Sequence, residues 1–260
     1  MPYQNITYDV KNGVARIAID KPQTMNAIND DVIEELCRAF DAAERDDAVR
    51  VMVLTGTDKA FCAGGELDSF KAGLEDGSLD MAANMDNSAR LVFAMKISAK
   101  PIIAAVRGAA AGAGCSLALC SDFCIAAESA KFIEAFVGVG LIPDTGGLYA
   151  LAQAVGVSRA VQLCMTGEAV DAERAMAMGM VYRVVPDDEL EAAVEKLARR
   201  LAAGPSSCYA AIKRIAWEVE WRDYREYLAI EKREQAACAA SPNFREGVFA
   251  FLEKRRPVFE

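Results

Sequence analysis

Two glycine-rich turns carry the first chemical signal in the sequence. Ala63-Gly64-Gly65-Glu66 comes after the apolar run Val51-Met52-Val53-Leu54, and Gly112-Ala113-Gly114 comes after Ile102 to Val106. Each fits a strand, a tight turn and a helix start, which leaves backbone N–H groups unpaired where the helix macrodipole favours negative charge. A single turn of this kind is most often only a tight turn. Two in one chain could each donate an N–H to one oxyanion, such as the enolate oxygen of a thioester. A dinucleotide-binding reading of Gly112-Ala113-Gly114 lacks the third glycine and a supporting acid ~20 residues on, and no phosphate-loop motif is present. Histidine is absent. That excludes a Ser-His-Asp triad, a Cys-His pair and imidazole metal ligation. Acid–base work near neutral pH falls to carboxylates, Cys, Lys or Tyr with shifted pKa values.

These turns need rigid elements to hold them. The 260 residues, 53% hydrophobic and 26% charged, suffice for one large domain or a core with a helical appendage. Short strands alternate with amphipathic helices. Val14 to Ile19 fits a strand ending in Asp20-Lys21-Pro22-Gln23, and Asn29 or Asp30 caps a helix with Val32, Ile33, Leu36 and Phe40 on one face. Asp122 to Ala126 and Lys131 to Ile133 fit further strands. The polar, glycine-containing segment 71–80 predicts a mobile loop before a helix over 81–96. Beyond Pro186 the pattern is almost entirely helical, and Trp217, Trp221, Tyr224 and Leu228 form a stripe at helical spacing that fits a packing face or subunit contact.

Composition excludes several partners. With 29 basic and 38 acidic residues the net charge is −9, which argues against nucleic acid or an anionic membrane as a general partner. The eight cysteines lie mostly within apolar runs without a C-x-x-C pair. They predict reduced, buried small hydrophobes in a cytoplasmic protein, with no metal site. The N-terminal residues lack the cationic head and apolar core of a signal peptide, and the apolar stretch from Ile102 to Leu119 is broken by Arg107 and glycines.

The run FCAGGEL, followed by KPIIAAVRGAAAGAGCSLALCSD, then GLIPDTGG and TGEAVDAERAMAMGMVYRVV, resembles the enoyl-CoA hydratase/isomerase (crotonase) family. The resemblance continues to EGVFAFLEKRRPVF at the C-terminus. It implies an α/β fold, the crotonase (ClpP-like) spiral of β-β-α units with two roughly perpendicular sheets over 1–196. A C-terminal helical trimerisation region would cover 197–260, giving a homotrimer or hexamer. It also implies an acyl-CoA thioester as substrate, with no separate cofactor. Gly65 and Ala113 match the family's oxyanion donors, flanked by Gly64 and Gly112. Ala63 and Leu67 match positions lining the adenine pocket, Gln23, Thr24 and Met25 match a segment beside the CoA, and Phe251 and Lys254 match C-terminal residues that reach a CoA.

Departures from the family pattern narrow the chemistry. Hydratases of the family use two glutamates, and the corresponding positions here are Ser116 and Phe136, which disfavours hydration. Glu134 is the only nearby acid. Asp144, in Ile-Pro-Asp-Thr-Gly-Gly, resembles the acid of the isomerase branch, which includes enoyl-CoA and epoxyphenylacetyl-CoA isomerases; by itself an Asp in such a turn most often braces it. The resemblance implies a double-bond isomerase with Asp144 as a single proton shuttle, Phe136 helping to form an apolar wall. Alternatives are another crotonase-family enzyme (hydratase, thioesterase, decarboxylase, dehalogenase or ring-forming) or a non-catalytic acyl-CoA-binding subunit.

Overall fold

The computed structural model describes residues 2–57 and 59–260. Strand β1 (Ile6–Lys11) turns through Asn12-Gly13 onto β2 (Val14–Ile19), placing Lys11 opposite Val14. Both turn residues have positive φ, 53° and 79°. This is the two-residue hairpin geometry that Asn-Gly adopts readily and that matches strand twist. Helix α1 (Asp30–Arg45), β3 (Val51–Gly56), α2 (Leu67–Asp76), α3 (Met81–Ile97), β4 (Ile102–Val106), β5 (Ala109–Ala111) and α4 (Ala113–Cys120) follow. Next come β6 (Phe123–Ala127), β7 (Lys131–Ile133), α5 (Gly147–Val155), α6 (Val157–Thr166), β8 (Val170–Asp171), α7 (Ala172–Met178) and β9 (Arg183–Val185). The chain closes with α8 (Leu190–Ala202), α9 (Ser206–Glu220), α10 (Tyr224–Ala239) and α11 (Pro242–Leu252).

The larger sheet has the order β1-β2-β3-β4-β6-β9, parallel throughout except for the β1–β2 hairpin. Its central strands are buried on both faces, so they read as continuous apolar runs. Alternate residues still divide two cores. Met52, Leu54, Ile102, Ala104 and Ala126 face α1 and α3–α5, whereas Val51, Val53, Ile103, Ala105 and Ile125 face α8. Helix α8 meets them with Leu190, Val194, Ala198 and Leu201, one buried stripe at helical spacing. The boundary expected at 196/197 therefore falls inside a helix that covers the main sheet. A second sheet, β5-β7-β8, pairs β5 with β7 in parallel and β7 with β8 antiparallel.

Two expectations need correction. Most of segment 71–80 belongs to α2, because Phe70 and Leu74 find an apolar cluster around Phe136, Leu141 and Phe244, and Gly77 ends the helix at φ 74°. The aromatic stripe does not lie on one helix. Trp217 is on α9, Trp221 closes it, and Tyr224 opens α10, so the rings gather around Tyr149 and Phe93 inside the subunit. Six cysteines are buried, Cys238 is half-buried and Cys208 is exposed, all with free thiols. No described helix is long and apolar enough to cross a membrane.

Candidate active site

The two glycine turns meet because the first is stitched onto the edge of the small sheet. Cys62 pairs with Ala110: the Cys62 N–H donates to the Ala109 carbonyl at 3.0 Å and the Ala111 N–H to the Cys62 carbonyl at 2.9 Å. The neighbouring Ile28–Gly65 bridge and an N–H bond from Ala63 to the Met25 carbonyl (3.0 Å) hold the other side. Backbone passes so close to backbone that a Cβ on Gly64 would lie 2.9 Å from the Ala111 carbonyl oxygen, and Gly64 itself has φ +94°. Only glycine fits there. Glu66 anchors the turn. Partial burial works against its charge, yet donors from Lys21 (2.8 Å), Ser69 (2.8 Å) and Asn29 (2.9 Å) hold its pKa below the usual value. It is a tied carboxylate rather than a free base.

Among the described residues, the Gly65 and Ala113 N–H groups donate to no protein acceptor, and both residues line a cleft of about 660 Å³. Ala113 is the first residue of α4, entered through Gly112 at φ 51° and ψ −126°. The positive end of that helix points its unpaired N–H groups toward the turn. The cleft can therefore offer two fixed donors to one developing oxyanion.

Asp144 lines the same cleft, yet its side chain is almost wholly withdrawn from solvent. Burial is the main cause of its pKa rising to about 6, and donors from Thr145 Oγ1 (2.8 Å, to Oδ1) and Gln235 Nε2 (2.9 Å, to Oδ2) offset part of it. Its loop is pinned from two directions. Ser116 Oγ on α4 donates to the Asp144 carbonyl at 2.8 Å, and the Gly146 N–H donates to Glu231 Oε1 on α10 at 3.2 Å. Burial and the nearby Asp144 raise Glu231 to about 8.

Glu134 takes no part in the cleft. Both its oxygens are buried without a hydrogen bond, and burial raises it to about 7. It lies behind Ser116 and Gly147, where a Cβ on Gly147 would sit 3.7 Å from Oε2. Phe136 does face the cleft, with its ring edge 3.7 Å from where a Cβ on Gly112 would be. The position is apolar and adjoins the second donor turn.

Of the residues singled out from the sequence, Ala63, Gly64, Gly65, Leu67, Gly112, Ala113, Phe136, Asp144 and Phe251 line one cleft. Gln23, Thr24, Met25 and Lys254 do not. Met25 supports the first turn through its carbonyl and leaves its side chain exposed, and Lys254 follows α11 at φ 56°. Gln235 and Glu231 were missed. The available signal was their spacing: Tyr224, Leu228, Glu231 and Gln235 fall on one buried face of α10.

A family model described as enoyl-CoA hydratase/isomerase matches residues 9–260. The chain is 39% identical to the trans-2-decenoyl-[acyl-carrier-protein] isomerase of Streptococcus mutans, covering 100% of this chain and 99% of that one. It is 38% identical to the 1,2-epoxyphenylacetyl-CoA isomerase of Escherichia coli, covering 96% of each. The crystal structure of an enoyl-CoA hydratase from Mycobacterium avium subsp. paratuberculosis superposes with a TM-score of 0.90 at 32% identity over 100% of both chains. Isomerase and hydratase names both occur among the relatives. With this fold, these paired turns and a match over nearly its whole length, the chain belongs to the enoyl-CoA hydratase/isomerase family.

Proposed function

We propose that the protein is an acyl-CoA double-bond isomerase in which Asp144 shuttles a single proton. The observation that carries this reading is a buried carboxyl with a pKa of about 6 on the same cleft as two unpaired N–H donors. The two positions at which the family's hydratases carry glutamates hold Ser116, engaged with the Asp144 carbonyl, and Phe136. Ionised Asp144 removes a C2 proton from a 3-enoyl-CoA. The C–H electron pair enters the C1–C2 bond and the carbonyl becomes a dienolate oxyanion resting on the Gly65 and Ala113 N–H groups. The protonated acid then delivers the same proton to C4, C2 and C3 become doubly bonded, and the carbonyl re-forms. A pKa just below neutral suits a group that must both take and return a proton. Homotrimeric assembly, or its doubling to a hexamer, belongs to the same reading and draws on exposed apolar faces of α6 and α9.

The test is Asp144→Asn, with purified protein offered 3-enoyl, 2-enoyl and oxepin-type CoA thioesters. Acyl-CoA binding is retained, turnover of the isomerised substrate falls ~10²–10⁴-fold, and exchange of the C2 protons with deuterated solvent stops. Exchange and turnover that survive the substitution, or robust hydration of a short 2-enoyl-CoA by the parent protein, would overturn the reading.

A further inference from the structure

We propose that Gln235, reaching from α10, is the positioning residue that holds the Asp144 carboxyl in the geometry for proton transfer. The proposal rests on the reading of Asp144 as the base. Gln235 is fully buried, and both polar ends of its amide are engaged. Oε1 accepts the Ile142 N–H at 3.0 Å, and Nε2 divides its two hydrogens between the Ile142 carbonyl at 3.0 Å and Asp144 Oδ2 at 2.9 Å. Turned over, the amide would aim its oxygen at two acceptors, so only one orientation satisfies the site. The side chain thus grips the loop on the near side of Pro143 and the carboxylate just beyond it. Thr145 occupies Oδ1, so each oxygen of Asp144 carries one donor and keeps lone-pair capacity for a substrate proton.

Other groups near Asp144 do not supply this. Glu231, one turn earlier on α10, holds the Gly146 N–H, and it is itself a carboxyl, as is Glu134 on the core side. Tyr227 lies on the same helix toward Glu231. Gln235 joins Thr145 as a neutral donor that favours the ionised form of Asp144 against burial, and it is the one that ties the carboxylate to α10.

The experiment compares the parent with Gln235→Met, which keeps length and loses the donor, and Gln235→Glu, which keeps shape and must itself be protonated to donate. The Asp144 carboxyl is followed by ¹³C NMR titration, with kcat, KM and C2-proton exchange measured across pH. In both variants the Asp144 titration is expected to move up by about one to two pH units. kcat at neutral pH should fall ~10-fold with KM within ~2-fold, the split expected of a lost positioning contact. In the unaltered protein the Gln235 side-chain N–H resonances should shift with the Asp144 titration, a reading that does not depend on any variant folding. Unmoved Gln235 resonances, or a folded Gln235→Met with unchanged Asp144 titration and kcat, overturn the proposal. Loss of melting temperature alone with those readouts fixed also overturns it. Asp144→Asn separates the two readings: if exchange persists there, Asp144 is not the base, whereas the ¹³C and side-chain N–H titrations still decide whether Gln235 governs its carboxyl.

Discussion

Three carboxyl groups are buried around the Asp144 loop, and their donors differ. Asp144 receives two side-chain donors, Glu231 receives a backbone N–H, and Glu134 receives no hydrogen bond. The cost of that isolation depends on pH. Glu134 rises from 4.5 to about 7 in the fold, chiefly through burial. Between those values the folded protein keeps a proton that the unfolded chain has released, so stability falls as pH rises through the window and stays lowered above it. Glu134→Gln removes the ionisation while keeping the shape. The variant is therefore expected to melt higher than the parent at pH 8, by on the order of 1–3 kcal/mol of stability, with the gain vanishing near pH 4.5. Its turnover should stay within ~3-fold, because the side chain does not reach the cleft. Parallel thermal melts at the two pH values measure this, and a gain of equal size at both would mean that charge is not the cause.

At the scale of elements, the proposed role of α4 is concentrated at its first residue. Ala113 occupies the position where proline is best tolerated, since the N–H it would remove has no partner inside the helix. Ala113→Pro should leave the fold and acyl-CoA binding intact while turnover falls ~10²–10³-fold, the typical effect of deleting one oxyanion donor. Circular dichroism and acyl-CoA binding supply the controls, and full turnover in a folded variant would place the donor elsewhere. The buried strands of the main sheet, a cap at Asn29 or Asp30 and both glycine turns were legible in the sequence because apolar runs, capping residues and glycine spacing are local signals. Helix α2 was not, since its polar composition resembles a loop until Phe70 and Leu74 meet a cluster contributed by distant segments. Gln235 was not either. Its partners lie 93 and 91 residues away, and no local pattern reports which loop a buried polar side chain will meet.

At the scale of the whole molecule, the aromatic residues between α9 and α10 pack on one another and on Tyr149 and Phe93 with Trp217 and Trp221 left half-buried, and other apolar faces remain uncovered. On α9, Ile212, Ile215 and Val219 are 62%, 62% and 58% exposed, and on α6, Val157 and Met165 are 69% and 74% exposed. These are the faces that the proposed assembly would cover. Light scattering at micromolar concentration should report about 84 kDa for three 28.0 kDa chains, or twice that, as closed symmetry favours. Placing aspartate at both Ile212 and Ile215 should shift the mass toward a single chain, and a monomeric parent would refute the assembly. The link between the Asp144 loop and α10 also sets an order of events during synthesis. A nascent chain that has left the ribosome as far as Asp223 already contains both donor turns, the loop and nearly every strand contact of the cleft. It does not yet contain Glu231 or Gln235, which fasten that loop. The donors for a substrate oxyanion are made first, together with the Ser116 contact to the loop, and the grip of α10 on the proposed proton carrier is added later in translation.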